Sequence, residues 1–190
     1  MPENKKIQSE SPHVCPHQIA FFLDNRIRRL FQSPKRILGE YIRENDTVID
    51  VGCGPGFFTI DMAKMVGRGG KVIAVDLQSK MLSRVRKKAA RHSVSNRMKY
   101  YQCGERRIGL KEQADFILAY YMIHETPDPM GFLDEARTLL KKDGQLLAVE
   151  PKMHVSRTEF ETMIEDAEKV GLKAVAFPKN KGGRSVLFAA

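Results

Sequence analysis

The stretch VIDVGCGPGFFT, residues 48–59, decides the fold. It begins as a continuous apolar, β-prone run, which is typical of a strand covered on both faces. It then passes through a glycine-rich turn into the start of a helix. Turns of this kind lie at the edge of an open sheet where nucleotide-like cofactors bind. The stretch therefore raises the question of which cofactor the turn accepts.

Strand-like and helix-like segments alternate from residue 46 onward. The β-prone runs lie at residues 47–51, 71–76, 98–102, 114–121, 145–150, 172–177 and 184–190. Apolar residues recur at helical spacing within residues 57–67, 79–92, 129–144 and 156–171. This alternation predicts a parallel sheet with helices on both faces. Only PKNKGG separates the last two strands, which is too short for a parallel crossover, so that pair is predicted to be an antiparallel hairpin.

The 190-residue chain is long enough for one domain, and its composition of 42% hydrophobic and 29% charged residues is that of an ordinary globular protein. No apolar run approaches the ~18 residues that suggest a membrane span. Three widely spaced cysteines predict reduced thiols and a cytoplasmic setting. The net charge is +9, and the excess of Lys and Arg residues is concentrated in residues 26–36 and 80–97. We expect solvated helix faces there rather than a nucleic-acid footprint, since no aromatic ladder accompanies the charge.

The residues before the core are predicted to form two parts. Residues 1–12 are polar and lack periodicity, which predicts a disordered leader. Residues 13–45 are predicted to form a helical lid, because apolar residues recur at helical spacing and a second short helix follows Pro34 and runs to the end of the segment. Residues 46–190 are predicted to form the core.

The glycines of the turn are Gly52, Gly54 and Gly56. A dinucleotide fingerprint needs its third glycine at the position that Phe57 occupies. Pro55 removes a backbone N–H from a place where a phosphate needs donors. No Gly-Lys-Ser/Thr follows, which excludes a phosphate-binding P-loop. The turn thus accepts a close ligand without being built around a phosphate.

Asp76 closes the second strand about 20 residues after Gly56, where an acidic side chain accepts hydrogen bonds from both hydroxyls of a ribose. Four stretches then resemble the motifs of class I S-adenosylmethionine-dependent methyltransferases, in the family's order: VIDVGCGPG, VIAVDLQSKML, ADFILAYYMIHE and EARTLLKKDGQLLAVEP. The resemblance runs from about Asp46 to the last residue. It implies an α/β fold, a Rossmann-like three-layer sandwich with a seven-stranded, mostly parallel sheet whose last strand is antiparallel. It also implies S-adenosylmethionine as the cofactor.

The resemblance assigns cofactor contacts residue by residue. The residues expected along the methionyl and ribose part are Asp50, Gly52, Cys53, Gly54 and Gly56. Asp76 is expected to hold the ribose hydroxyls, and Leu77 and Met81 to contact adenine. Tyr120, at the end of the fourth strand, is expected to offer its backbone carbonyl to the methionine ammonium.

The third strand departs from the family pattern. Many relatives have an aspartate after this strand to accept from the adenine amino group, whereas Cys103 stands here. Adenine recognition is therefore expected from the Gly104 backbone and Glu105. Cys15, Cys53 and Cys103 also raise arsenite methylation as an alternative, against which the paired cysteines of arsenic methyltransferases are missing.

His124 is the leading candidate for a general base, since it lies just past the fourth strand on the ligand edge. The alternative for His124 is a helix cap or a packing role. Tyr121 is a candidate substrate contact or, equally, a core residue. Glu125 and Glu150 also lie at strand ends, where a solvated or capping role is expected.

The alternation of His13, Cys15 and His17 matches three ligands of a soft metal. A structural zinc site needs four ligands and no second cluster supplies the fourth, so no metal site is predicted. The function expected from the resemblance is methyl transfer to a small-molecule acceptor, with no membrane partner. An RNA or protein methyltransferase, which the charge favours, and a non-catalytic cofactor-binding module remain as alternatives. The Asn/Asp-Pro-Pro-Tyr/Phe motif of amino-group methylation is absent, since AYYMIH stands in its place.

Overall fold

The computed structural model describes residues 32–190. Its strands are β1 (Thr47–Val51), β2 (Lys71–Asp76), β3 (Met98–Gln102), β4 (Ala114–Tyr120), β5 (Leu140–Pro151), β6 (Lys173–Ala176) and β7 (Gly183–Ala189). Its α-helices are α1 (Pro34–Leu38), α2 (Thr59–Met65), α3 (Ser79–Arg91), α4 (Pro129–Leu139) and α5 (Arg157–Lys169). The predicted leader, most of the predicted lid, and the alternating His13, Cys15 and His17 lie outside the described residues and stay predictions.

The seven strands form one sheet in the order β3-β2-β1-β4-β5-β7-β6. The pairs among β1 to β5 are parallel, and β7 is antiparallel to both β5 and β6. This confirms the mostly parallel sheet with an antiparallel last strand. The chain leaves β1 toward β2 on one side and returns to β4 on the other. Ligands bind at such a reversal, outside the carboxyl ends of the strands, and the glycine-rich turn lies there.

Two apolar layers cover the two faces of the sheet. Side chains of β1 alternate between them, with Val48 in one layer and Ile49 in the other. One layer includes Val85 from α3, and the other includes Phe132 from α4 and Phe160 from α5. Helices therefore flank both faces, as a buried parallel sheet requires.

Two helix boundaries differ from those predicted. The helix that follows Pro34 was expected to run to residue 45, but α1 ends at Leu38, because Gly39 interrupts it and turns follow. The helix expected over residues 129–144 ends at Leu139. Leu140 is buried and pairs with Ala114 of β4, so sheet pairing overrides the helical periodicity there. Within residues 32–190, no helix is both long enough and apolar enough to span a membrane.

A capping box is present at the start of α5. The Ser156 hydroxyl accepts from the Glu159 N–H at 3.2 Å, and the Glu159 carboxylate accepts from the Ser156 N–H at 2.7 Å. The capping box fixes the residue at which α5 begins, and so it fixes the end of the loop that connects β5 to α5. This loop borders the cleft described next.

Candidate active site

The turn after β1 depends on glycine for two separate reasons. Gly52 has a φ of +66°, and a Cβ built there would lie 2.8 Å from the Cβ of Met122. Gly54 has a φ of +51°, and nothing lies within 4 Å of the position of its Cβ. Gly52 therefore lets the turn pack against the residues after β4, and Gly54 leaves open space above the turn for a ligand.

Asp76 ties the turn to the end of β2. One of its carboxylate oxygens accepts from the Gly54 N–H at 2.8 Å, and the other accepts from the Gln78 N–H at 2.8 Å. Burial raises the pKa of Asp76, while these two backbone donors lower it. The Cys53 thiol also lies 4.0 Å from the oxygen that accepts from Gly54. A carboxylate offers about four acceptor positions, so about one to two remain. The geometry thus fits a ribose with two adjacent hydroxyls.

Asp50 is a buried acid at the end of β1, with a side chain that is 3% exposed. It accepts a hydrogen bond of 2.5 Å from the Thr59 hydroxyl. Burial raises the pKa of Asp50 to about 7, the Thr59 hydrogen bond opposes the shift, and the nearby Asp76 adds to it. Asp50 therefore keeps its proton to a higher pH than an ordinary carboxyl group does.

The buried Asp50 predicts a pH-dependent stability. Between the ordinary carboxyl pKa and about 7, the native state holds a proton that the unfolded state has lost, so the free energy of unfolding falls as pH rises. Asp50→Asn removes this loss and is expected to be more stable than wild type at pH 8, by at most about 4 kcal/mol. Urea denaturation at pH 5 and pH 8 measures the effect.

Asp115 provides a control of opposite sign. Burial raises its pKa, but hydrogen bonds from Lys141 and the Thr47 backbone outweigh this, so the pKa of Asp115 is lowered. Asp115→Asn is therefore expected to lose stability at pH 8 and to lose less at low pH. Equal pH slopes for wild type and Asp50→Asn would contradict the role given to Asp50.

His124 and Glu150 form a hydrogen-bonded pair across the ends of β4 and β5. Nδ1 of His124 bonds to one oxygen of Glu150, and the other oxygen accepts from the Ile123 N–H at 3.0 Å. The Glu150 side chain is 2% exposed and that of His124 24%. Glu150 caps the short turn at Ile123–Glu125, as expected for a cap, but it is buried and paired rather than solvated.

The Glu150 carboxylate sets the protonation of His124. Partial burial lowers the pKa of His124, but the hydrogen bond and negative charge of Glu150 outweigh it, so the pKa is raised. Because Nδ1 is held by Glu150, Nε2 is the nitrogen available to another molecule. A carboxylate in this position fixes the tautomer and stabilises the imidazolium.

The turn after β4 contains a strained residue. Tyr121 has a φ of +61°, which is uncommon for a residue with a side chain, and its N–H donates to the Val149 carbonyl at 2.7 Å. Its ring lies 4.4 Å from that of Tyr120, whose hydroxyl donates to the Asn180 side chain at 3.2 Å. Strain of this kind clusters at functional sites, which supports Tyr121 as a candidate substrate contact.

These groups share one cavity of about 1270 Å³. Of the residues proposed from the sequence, the following line it: Asp50, Gly52, Cys53, Gly54, Asp76, Leu77, Met81, Cys103, Gly104, Glu105, Tyr120, Tyr121 and His124. Gly56 is not among them; a Cβ there would meet Val85 of α3 at 3.1 Å, so Gly56 allows the helix to pack on the turn. Sequence reasoning did not single out the lining residues Met122, Phe132, Met153 and His154. Their types alone carry no signal, because each also suits an ordinary core or surface.

The segment after β3 differs in one respect from the expectation. The Gly104 N–H donates to the Arg107 carbonyl at 3.1 Å, so it is already used within a turn. Burial raises the pKa of Cys103 to about 11, and burial also raises that of Cys53 well above its ordinary value. Both thiols therefore stay protonated near neutral pH, which does not suit thiolate binding of arsenite.

Comparison with known proteins places the chain in a family. The profile of a methyltransferase-domain family matches residues 42–182. The chain belongs to this methyltransferase family. An S-adenosylmethionine-dependent methyltransferase from Aquifex aeolicus superposes on the protein with a TM-score of 0.82 and 26% identity, over 92% of this chain and 98% of that one. The resemblance implied S-adenosylmethionine as the cofactor, and this family assignment and structural relative support it.

Other relatives are more distant. An S-adenosylmethionine-dependent methyltransferase structure from Methanococcus maripaludis has a TM-score of 0.76 at 18% identity and covers all of this chain and 96% of that one, which shows the shared fold. A demethylmenaquinone methyltransferase from Oceanobacillus iheyensis is 26% identical over 57% of this chain and 46% of its own length. A ubiquinone/menaquinone biosynthesis C-methyltransferase from Pectobacterium carotovorum is 28% identical over 57% of this chain and 44% of its own. The chain thus spans about half the length of these curated relatives.

Proposed function

We propose that this methyltransferase methylates a small-molecule acceptor bound in the cleft, with His124 as the general base. The observation that carries the proposal is the His124–Glu150 pair, because His124 lines the same cavity as Gly54 and Asp76 while the buried Glu150 holds it. A histidine oriented by a buried carboxylate is the arrangement that removes a proton from an acceptor.

The cofactor is proposed to lie along the turn after β1. Asp76 would hold the ribose hydroxyls through its remaining acceptor positions, and Gly54 leaves room for the close approach. Leu77 and Met81 line the same part of the cavity and would contact adenine, and the Tyr120 carbonyl would accept from the ammonium. When bound, S-adenosylmethionine supplies a methyl group activated by a positively charged sulfur.

Two observations support a small acceptor. The cavity of about 1270 Å³ is larger than the roughly 300–1,000 Å³ typical of a pocket for one ligand, so it has room for a second molecule. Relatives named for demethylmenaquinone point the same way, since that compound is a small molecule. An RNA or protein acceptor is therefore the less favoured choice.

The residues of the cleft have different roles in the reaction. Glu150 holds Nδ1 of His124, which leaves Nε2 to take a proton from the acceptor. The negative charge of Glu150 then stabilises the imidazolium that forms. Met122 and Phe132 supply apolar walls that reduce contact with water.

The role of Glu150 predicts a shifted pH profile. The rate is expected to rise with pH as His124 loses its proton, with a midpoint above the ordinary histidine pKa, because Glu150 raises it. Glu150→Gln removes the charge, so the midpoint should move to lower pH. The plateau should fall by roughly 10–100-fold, since hydrogen bonds to charged groups contribute about 1.5–3 kcal/mol. Steady-state rates from pH 5 to 9 test this. Glu168→Gln, which changes an exposed glutamate of α5 that is not among the groups shifting the pKa of His124, is the matched control.

The acceptor class can be tested directly. The protein is incubated with S-adenosylmethionine labelled in its methyl group and with three separate fractions: a small-molecule extract, total RNA and total protein. We expect the label in the small-molecule fraction. Label that enters only RNA or only protein would contradict the proposal.

A further inference from the structure

The positive charge of this protein is concentrated in one segment. The chain carries 32 Lys and Arg residues against 23 Asp and Glu, a net charge of +9. Residues 77–104 contain no Asp or Glu and have eight Lys and Arg: Lys80, Arg84, Arg86, Lys87, Lys88, Arg91, Arg97 and Lys99. The segment runs from the end of β2 through α3 and β3. It holds nearly the whole excess of positive over negative side chains in the chain.

Four of these cations form a stripe along α3. The spacing of Lys80, Arg84, Lys87 and Arg91 places them on one face, and all four are exposed. The opposite face, which includes Val85, packs into the core. At 1.5 Å per residue the stripe is roughly 16 Å long.

The stripe differs from an ordinary solvated helix face. In the part of the chain that the structure describes, Lys80, Lys87 and Arg91 form no ion pair. By contrast, α5 pairs Arg157 with Glu161 and Lys169 with Asp166. Like charges four residues apart repel one another and weaken a helix. Covering the stripe with a polyanion would remove that repulsion.

A groove of about 690 Å³ continues the basic surface across the edge strand β3. Arg86 of α3 lines it together with Lys99, Lys111, Tyr100 and Tyr101. The guanidinium of Arg86 lies over the ring of Tyr100, 4.7 Å from its centroid. Planar guanidinium and aromatic groups beside a basic stripe are the surfaces on which unpaired bases stack.

Among residues 32–190, Glu112 is the one carboxylate that lines this groove. It bonds Lys71 at 2.5 Å and Lys99 at 2.7 Å, so its charge is already compensated. The groove thus keeps a positive balance from Arg86 and Lys111.

We propose that this surface, formed by the α3 stripe and the β3 groove, binds single-stranded RNA. The phosphates contact the stripe, and bases stack at the Arg86–Tyr100 platform. A membrane is less suited to it, because insertion needs exposed apolar side chains. The exposed large apolar side chains among residues 32–190 lie elsewhere: Met130, Met153, Val175 and Phe177. No residue of the stripe lines the cleft, so this binding goes beyond methylation of a small acceptor.

The test compares two triple variants of the full chain that lose the same charge. The first, Lys80→Gln, Lys87→Gln and Arg91→Gln, removes three of the four cations of the stripe and with them the repulsion between like charges. It should melt no lower than wild type, apart from the small loss caused by removing the helix-end charge of Arg91. The control, Lys142→Gln, Lys173→Gln and Lys179→Gln, removes three exposed cations from other elements. Fluorescence anisotropy measures the binding of a labelled oligouridylate of about 12 nucleotides.

Wild type and the control variant are expected to bind the oligonucleotide with the same salt dependence. The stripe variant should bind at least tenfold more weakly, and its slope of log affinity against log salt should be smaller by about 2, since three phosphate contacts are lost. The proposal is overturned if wild type does not bind at low salt or if the two variants lose affinity equally. It is also overturned if vesicles containing phosphatidylserine bind wild type, and not the stripe variant, while the oligonucleotide binds neither.

Discussion

His124→Ala is expected to slow methyl transfer by roughly 10²–10⁴-fold, the usual contribution of a general base, while the cofactor still binds with wild-type affinity. The effect on the rate is separate from the effect on cofactor affinity because the residues involved lie in different parts of the cleft. His124 bonds Glu150 at the ends of β4 and β5, whereas the groups proposed to hold the cofactor belong to the turn after β1 and to the end of β2. Single-turnover rates and calorimetric titration measure the two effects independently.

His124→Ala also removes a hydrogen bond from the buried Glu150, and this loss needs a control. Without His124, the buried Glu150 keeps only the Ile123 N–H as a hydrogen-bond donor in the described contacts, which costs stability. His124→Gln restores a donor at this position without a base of suitable pKa, so it should fold like wild type and remain slow. His92→Ala is the matched control, since His92 is an exposed histidine that does not line the cleft. Wild-type rates for both His124 variants would show that the acceptor needs no base.

Asp76→Ala is expected to weaken cofactor binding by about one to two orders of magnitude. Hydrogen bonds to a charged acceptor contribute about 1.5–3 kcal/mol, and the ribose hydroxyls would lose theirs. The change also leaves the Gly54 and Gln78 N–H groups without their acceptor, so the turn itself becomes less ordered. Calorimetric titration with S-adenosylhomocysteine, the demethylated product, measures the dissociation constant without turnover.

A control variant and a control ligand accompany the Asp76→Ala experiment. Asp134→Asn alters an exposed acid on α4 that pairs with Arg137, and it should leave the dissociation constant unchanged. NAD should not bind, because the turn has Pro55 and lacks the third glycine of a dinucleotide site. An unchanged dissociation constant for Asp76→Ala would place the cofactor elsewhere in the cleft.

Much of the fold follows from local pattern. The apolar run before Gly52 and the alternation after it predicted the strands, because a buried parallel strand needs β-branched and apolar residues throughout. The short PKNKGG connection predicted the antiparallel hairpin. The predicted boundary between α4 and β5 was wrong. The spacing of Leu140 fits a helix, but in the structure Leu140 pairs with Ala114 as part of a strand.

The candidate site was predictable only in part. The glycine turn and Asp76 belong to neighbouring segments whose spacing is itself informative. Glu150 carried no such signal, since a glutamate at a strand end is solvated in most cases. Its burial beside His124, 26 residues away in the chain, arises from the adjacency of β4 and β5.

The sequence by itself determined the order of the strands and helices along the chain, the glycine turn and the expectation of a ribose-bearing ligand, because these depend on side chains close together in the chain. Only the tertiary structure decided which carboxylate orients His124, why Gly52 tolerates no side chain, and that the charge of residues 77–104 lies along one helix face and an adjacent groove. Those features depend on which strands become neighbours in the sheet and on which helix face the core buries. Residues far apart in the chain meet only through that packing.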